Sequence, residues 1–329
     1  MRLLRYILFR LGGIVVVLLA IAVITYAIFY LLPSDPARLA CGRPCSPENL
    51  DRIAQYLGTD QPWFVQLGEF LRGIVVGREF GTAGTRCDAP CFGYSFLRNA
   101  SVTDLIASRF PATASIAIGA AILWLLLGVA GGVGAGLRRG TLLDRGIMTL
   151  SIAGVSTPIY LAGVIVILIF GFGLQLLPVS GYVAFEDDPA EWLRHLILPW
   201  VALAFVSSAV YVRLTRSELI EVMGNDYIRT ARAKGLRESR VVVRHGLRTA
   251  LLPVVTVFGL DLGALLGLSV LVERAFGIPG TGTLLLEAVA FLDLQLVVGL
   301  TLFAAFLVVL LNFLVDLVYG VLDPRVRVG

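Results

Sequence analysis

The sequence predicts an all-α membrane protein with six transmembrane helices. Three observations carry that reading. Apolar residues make up 57% of the 329-residue chain and charged residues 15%, against about 45–50% and about 25% in soluble domains. Mean hydropathy is +0.87. Six apolar runs recur near the ~20 residues that a helix needs to cross a bilayer, and the loops between them alternate in charge.

The first run, Tyr6–Leu32, has Arg2, Arg5 and Arg10 at its start. Its apolar part exceeds the roughly 7–15 residues of a signal-peptide core, and no small-residue cleavage site follows. It therefore reads as a retained span, with residues 1–32 forming the first section of the chain. Residues 33–112 are the one sizeable non-membrane region. They open on the turn-rich Pro33-Ser34-Asp35-Pro36 and contain an amphipathic helix around Pro62–Val75, with Trp63 and Phe64 placed as interfacial anchors. A third section, 113–329, holds the remaining spans: Thr113–Gly136, Ile147–Leu174, Leu196–Val212, Ala250–Leu271 and Leu296–Tyr319. The fourth span is the least regular, because His195 and Pro199 crowd its start.

Arginine sets the orientation. Arg138, Arg139 and Arg145 lie between the second and third spans, Arg213 to Arg248 between the fourth and fifth, and Arg325 and Arg327 after the sixth. Glu186, Asp187, Asp188 and Glu191 fall on the opposite side. The positive-inside rule then puts both termini in the cytoplasm, and span parity puts 33–112 outside. Net charge is +4 with Lys234 as the only lysine. Because the positive charges flank apolar spans, nucleic acid is a poor partner for them.

Within the spans, Gly128, Gly132 and Gly136 repeat at four-residue spacing, as do Gly259, Gly263 and Gly267. Such faces let a neighbouring backbone approach closely; they serve packing in the bundle, or a sliding or dimer seam. Asp261 is a lone acid in mid-span. A charge at that depth costs several kcal/mol unless it meets protein or water, so it should face the bundle interior, a partner or a water-filled path. A hydrogen-bonded structural acid is the plainer alternative. Asn312 and Asp316, spaced i, i+4 in the last span, read as helix-holding groups and secondary pathway candidates.

Cys41, Cys45, Cys87 and Cys91 form two C-x-x-x-C pairs in the outer segment, where thiols oxidise. Of the three connectivities open to four cysteines, bonds joining the 41/45 region to the 87/91 region are favoured because they close a long loop. A zinc site is the alternative. No enzyme constellation is present. His195 and His245 fall on opposite faces, and no G-x-x-x-x-G-K-[ST], G-x-S-x-G or H-E-x-x-H occurs. The Gly277–Thr283 run lacks the phosphate-loop lysine. No catalytic or metal-binding residue is expected on this chain.

The segment 225–248 is basic and patterned as two short helices. Asp226 caps the first, Tyr227–Lys234, with Tyr227 and Ala231 on one stripe, flanked by Arg229 and Arg232. Gly235 suits a C-terminal stop. Glu238 and Ser239 open a second helix that runs through Val241–Val243 into the fifth span.

Here the chain resembles the inner-membrane permeases of dipeptide/oligopeptide ABC importers. The resemblance rests on D-Y-I-R-T-A-R-A-K-G-L at 226–236, R-H-G-L-R-T-A-L-L-P-V at 244–254, V-E-R-A-F-G-I-P-G-T-G at 272–282, L-L-P-S-D-P-A at 31–37, R-F-P-A-T at 109–113, and the tail from Asn312 and Asp316 to L-D-P-R-V-R at 322–327. It implies the type I ABC importer permease fold in a bacterial inner membrane, working with a second homologous permease, two ATPase subunits that bind ATP and magnesium, and an extracytoplasmic substrate-binding protein. It also implies that Asp226, Tyr227, Arg229, Thr230, Ala231, Arg232, Lys234, Gly235 and Leu236 form the coupling helix that sits in an ATPase groove. Two departures from the wider importer pattern stand out. The E-A-A triplet is Arg229-Thr230-Ala231, and the later Leu-Pro is Leu247-Arg248 with Pro253 further on. The implied cargo is di- or oligopeptide, with nickel-chelate or glutathione importers as relatives of similar build. A secondary transporter would want inverted repeats and ionisable groups in several spans, where only Asp261 is a candidate.

Overall fold

The computed structural model describes residues 2–31, 46–48, 50–51, 61–80, 85–95 and 97–322. Its long elements are helices: α1 (Arg2–Leu31), α2 (Trp63–Val76), α3 (Val102–Leu137), α4 (Leu142–Ser156), α5 (Ile159–Val166, continuing as a π-helical stretch to Gly173) and α6 (Pro189–Met223). The short α7 (Asp226–Ala233) follows, then a turn of helix Glu238–Arg240 and a π-helical stretch Val241–Leu247 that leads into α8 (Arg248–Ala275), α9 (Thr281–Ala290) and α10 (Leu294–Leu322). Two small antiparallel hairpins lie between α2 and α3: β1 (Arg78–Phe80) with β2 (Thr85–Cys87), and β3 (Tyr94–Ser95) with β4 (Ala100–Ser101). The chain packs as two units, Met1–Pro111 with Gly280–Phe313, and Ala112–Pro279 with Leu314–Gly329.

Four described helices are long and apolar enough to cross a membrane: Val102–Leu137, Pro189–Met223, Glu238–Gly263 and Leu294–Val315. The third predicted run, Ile147–Leu174, is not one rod. It breaks into Leu142–Ser156 and Ile159–Gly173, bent by 110°. Thr157 turns to an extended conformation (ψ 120) before Pro158, as clashes with a following proline ring require. The described apolar stretch of α1 is the shorter Gly12–Ile28.

Helix starts also differ from the apolar reading, because caps rather than hydropathy set them. α3 begins at Val102, not Thr113: Ser101 Oγ accepts the Asp104 amide at 3.0 Å, an N-cap bond that satisfies a free donor. α6 begins at Pro189, well before Leu196. Asp188 Oδ1 accepts the amides of Ala190 and Glu191 at 2.9 and 3.1 Å, and proline suits the first helical position. Pro199 then lies inside the helix.

In the first unit, α2 matches the expected amphipathic helix. Leu67, Phe70 and Gly73 are buried along it, while Phe64 stays exposed. Phe70 meets Tyr26 of α1 at 5.6 Å between ring centroids. Cys87 and Cys91 are bonded to each other, with Cα atoms 5.6 Å apart, and both are buried beside Phe80 and Tyr94. This corrects the favoured long-range pairing for these two cysteines: the tight turn after β2 places the two neighbours within bonding distance. Cys41 and Cys45 lie outside the described residues. With Cys41 and Cys45 both changed to serine, the chain should stay unlabelled by maleimide until reduced. Labelling of the unreduced variant would restore the long-range pairing.

Candidate docking element and intramembrane polar groups

The second unit is organised around α6. The glycine face of α3 packs directly on it. A methyl carbon at Gly128 would lie 2.4 Å from Tyr211 Cβ, one at Gly132 2.5 Å from Thr215 Cβ, and one at Gly136 3.3 Å from Leu219 Cδ2. The contacts step by four on both helices and in the same direction, so α3 and α6 run parallel. α4 runs antiparallel to α6: a methyl at Gly154 would meet Ala209 Cβ at 2.9 Å, while Asp144, earlier on α4, pairs with Arg216, later on α6. Arg216 Nε and NH2 donate to Asp144 Oδ1 and Oδ2 at 2.7 and 2.9 Å, and Asp144 also accepts the Gly140 amide at 2.9 Å. This fork ties the Arg138–Thr141 turn to the end of α6 that leads into α7. The arginine-bearing turn and the 226–248 element therefore share one end of the bundle. Residue types alone did not single out this pair.

α7 confirms the short helix and corrects its details. Asn225 occupies the cap position, without a side-chain bond, and Asp226 is the first helical residue. The buried stripe is Ile228 and Ala231, not Tyr227 and Ala231; they pack with Val241, Met223 and Leu236. Tyr227 is exposed, and its hydroxyl reaches the His245 carbonyl at 3.5 Å. Gly235 takes φ +77 and its amide donates to the Arg232 carbonyl at 2.9 Å, the left-handed stop that glycine provides without steric cost. Across this turn Arg232 donates twice to Glu238, at 3.1 and 2.6 Å. The bonded carboxylate raises the Arg232 pKa above its ordinary value. Arg229 pairs loosely with Asp226 at 3.5 Å. Thr230 Oγ1 bonds back to the Asp226 carbonyl, and Lys234 is exposed. The nine predicted residues thus lie in one helix-turn unit, held inward by Ala231 and by Ile228, which the prediction left out, with a largely basic face outward. Beneath it, Gly246 abuts Met223 Sδ, so that the base of the element rests on α6.

The V-E-R-A-F-G-I-P motif closes the far end of α8. Glu273 is fully buried and accepts Thr113 Oγ1 at 2.7 Å; the Phe276 carbonyl accepts the Gly181 amide at 3.0 Å. In the first unit, Arg98 bonds Glu287 of α9, and Ser95 bonds Asp293. Burial pushes the Asp293 carboxyl above its ordinary range. Asp261 sits midway along α8 and accepts the Tyr211 hydroxyl at 2.7 Å. Asn312 lines a groove between α1 and α10 with Gly13, Val17 and Phe313. The Asp316 side chain lies outside what the structure describes.

Comparison with known proteins matches these features. Residues 3–117 fit the family described as binding-protein-dependent transport system membrane component, N-terminal, and residues 128–328 fit the binding-protein-dependent transport system inner membrane component. A peptide transport system permease protein of Brucella abortus (strain 2308) is 41% identical over 318 residues, covering 97% of each chain. The dipeptide transport system permease protein DppB of Escherichia coli (strain K12) is 36% identical over 348 residues, covering 98% of this chain and 99% of that one. A chain of the MetNI methionine ABC transporter, solved in inward-facing conformations, superposes with a TM-score of 0.52 at 19% identity, over 67% of this chain and 97% of that one. That likeness speaks to the fold alone.

Proposed function

Since the chain belongs to the binding-protein-dependent transport system inner membrane components, we propose that it forms half of a peptide pathway driven by ATPase subunits on other chains. It is a multi-pass permease component of a bacterial inner-membrane ABC importer for peptides. The observation that carries the cargo is similarity along nearly the whole chain to peptide and dipeptide permeases. The other half of the pathway is a second, homologous permease. Two ATPase subunits hold ATP and magnesium, and a binding protein delivers peptide from outside.

In this reading α7 and the Gly235 turn are the coupling element, docked in an ATPase groove. Its supports are the exposed basic face, the buried Ile228–Ala231 anchor and continuity with α6. The arginine-rich turn at the same end supports a cytoplasmic position for the element and for both termini. No salt bridge from an E-A-A glutamate is carried over, since Arg229 stands in that place. Purification in mild detergent should yield the chain with a second permease and ATPase chains, and the reconstituted complex should take up di- or tripeptide only with ATP and its binding protein. A lone polypeptide that transports without ATP would replace this reading with a secondary transporter.

A further inference from the structure

Asp261 is the one ionisable group in the middle of α8, and its chemistry is incomplete. Among the described residues it makes one side-chain hydrogen bond, from Tyr211, and no ion pair. The other acid of this helix, Glu273, is fully buried and held by Thr113; Asp261 keeps part of its surface open. A neutral hydroxyl only partly offsets the cost of a carboxylate at bilayer depth.

The surroundings select the missing charge. Tyr211 and Trp124 are 1% exposed. With Phe258 they form a ring cluster: Tyr211–Phe258 centroids lie 6.3 Å apart at 82°, Trp124–Phe258 5.8 Å at 75°. Phe258 is three residues before Asp261 and so neighbours it on the helix surface. Aromatic faces attract compact cations. The comparison with Asp144 is informative. There both carboxylate oxygens face the Arg216 fork, the geometry guanidinium requires. At Asp261 only Oδ2 is engaged, by Tyr211, so among the described residues Oδ1 has room to accept from a further donor such as an ammonium.

We propose that Asp261, oriented by Tyr211 and flanked by Phe258, is a subsite for the ammonium group of the transported peptide. This rests on the reading of the chain as a peptide permease, where the terminal ammonium is the cation common to all unmodified cargo. Asp261→Asn is the decisive variant, because its amide oxygen still accepts the Tyr211 hydroxyl while the charge is gone. In proteoliposomes holding the full transporter and its binding protein, trialanine uptake should fall about tenfold in Asp261→Asn, with all subunits still co-purifying, and by much less in Tyr211→Phe. Wild-type uptake in Asp261→Asn would overturn the subsite. So would a loss confined to Tyr211→Phe, which marks a structural hydrogen bond. Failure of Asp261→Asn to assemble would overturn it as well, assigning the charge to a partner subunit. Failure of the unmodified transporter to move trialanine would instead remove the peptide reading beneath it.

Discussion

Gly235→Pro should abolish ATP-driven uptake while the chain still inserts in the membrane. The argument is conformational. Gly235 sits at φ +77, and its amide bonds the Arg232 carbonyl. Proline is fixed near φ −65° and has no amide hydrogen, so the turn between α7 and Glu238 has to reopen. Reopening separates Arg232 from Glu238 and lifts Ile228 and Ala231 off Val241. A methyl group at Gly235 would meet nothing within 4 Å, so the site has room, and the penalty is backbone strain alone. That gives a graded series. Alanine should cost about 1–2 kcal/mol, asparagine less, because it tolerates the left-handed region, and proline the whole turn. A bulky residue at Ala231 should act in the same direction by overpacking the anchor. The readout is peptide taken up per ATP hydrolysed in the reconstituted complex; normal uptake by Gly235→Pro would sink the coupling assignment.

The second large effect is on stability. Gly132→Ala should destabilise the chain in detergent by about 1–3 kcal/mol, the usual cost of overpacking. Its methyl would sit 2.5 Å from Thr215 Cβ and 2.8 Å from the Val212 carbonyl oxygen. The backbone atom cannot step aside without separating α3 from α6. Gly134→Ala is the control on the same helix, since its nearest side-chain atoms are 4.0 Å away. Melting followed by tryptophan fluorescence should show a clear drop for Gly132→Ala and little for Gly134→Ala. Equal melting temperatures would mean that the glycine face is not a packing seam.

The parts of this molecule written in local pattern were legible in the sequence. Apolar runs located the long helices, the four-residue glycine period marked the face of α3 that a neighbouring backbone approaches, though not that the neighbour is α6, and Gly235 marked the stop after α7. What escaped is what depends on contacts across the fold or on cap geometry. The Thr157–Pro158 break was hidden inside one continuous apolar run. The starts of α3 and α6 lie in polar sequence, where Ser101 and Asp188 do the capping. In α7, Tyr227 and Ile228 are adjacent, and one short helix cannot say which of them turns inward; tertiary packing chose the aliphatic one. Asp144 and Arg216 are 72 residues apart, so no spacing rule links them. For Cys87 and Cys91, the greater stabilisation expected from cross-linking a long loop favoured distant partners, while the local turn holds the two neighbours together.

The Arg232–Glu238 fork has a mechanical consequence. It braces the Gly235 turn from within the chain, on top of the Ile228–Ala231 anchor. A docking loop that orders only on contact loses about 0.5–1.5 kcal/mol for each long side chain it freezes, and it stretches before it transmits force. This turn is already closed within the chain itself, by the Arg232–Glu238 fork and the Gly235 amide bond. In the proposed coupling role, displacement of an ATPase docked on this turn would reach α6 and α8 as movement, with little taken up as slack.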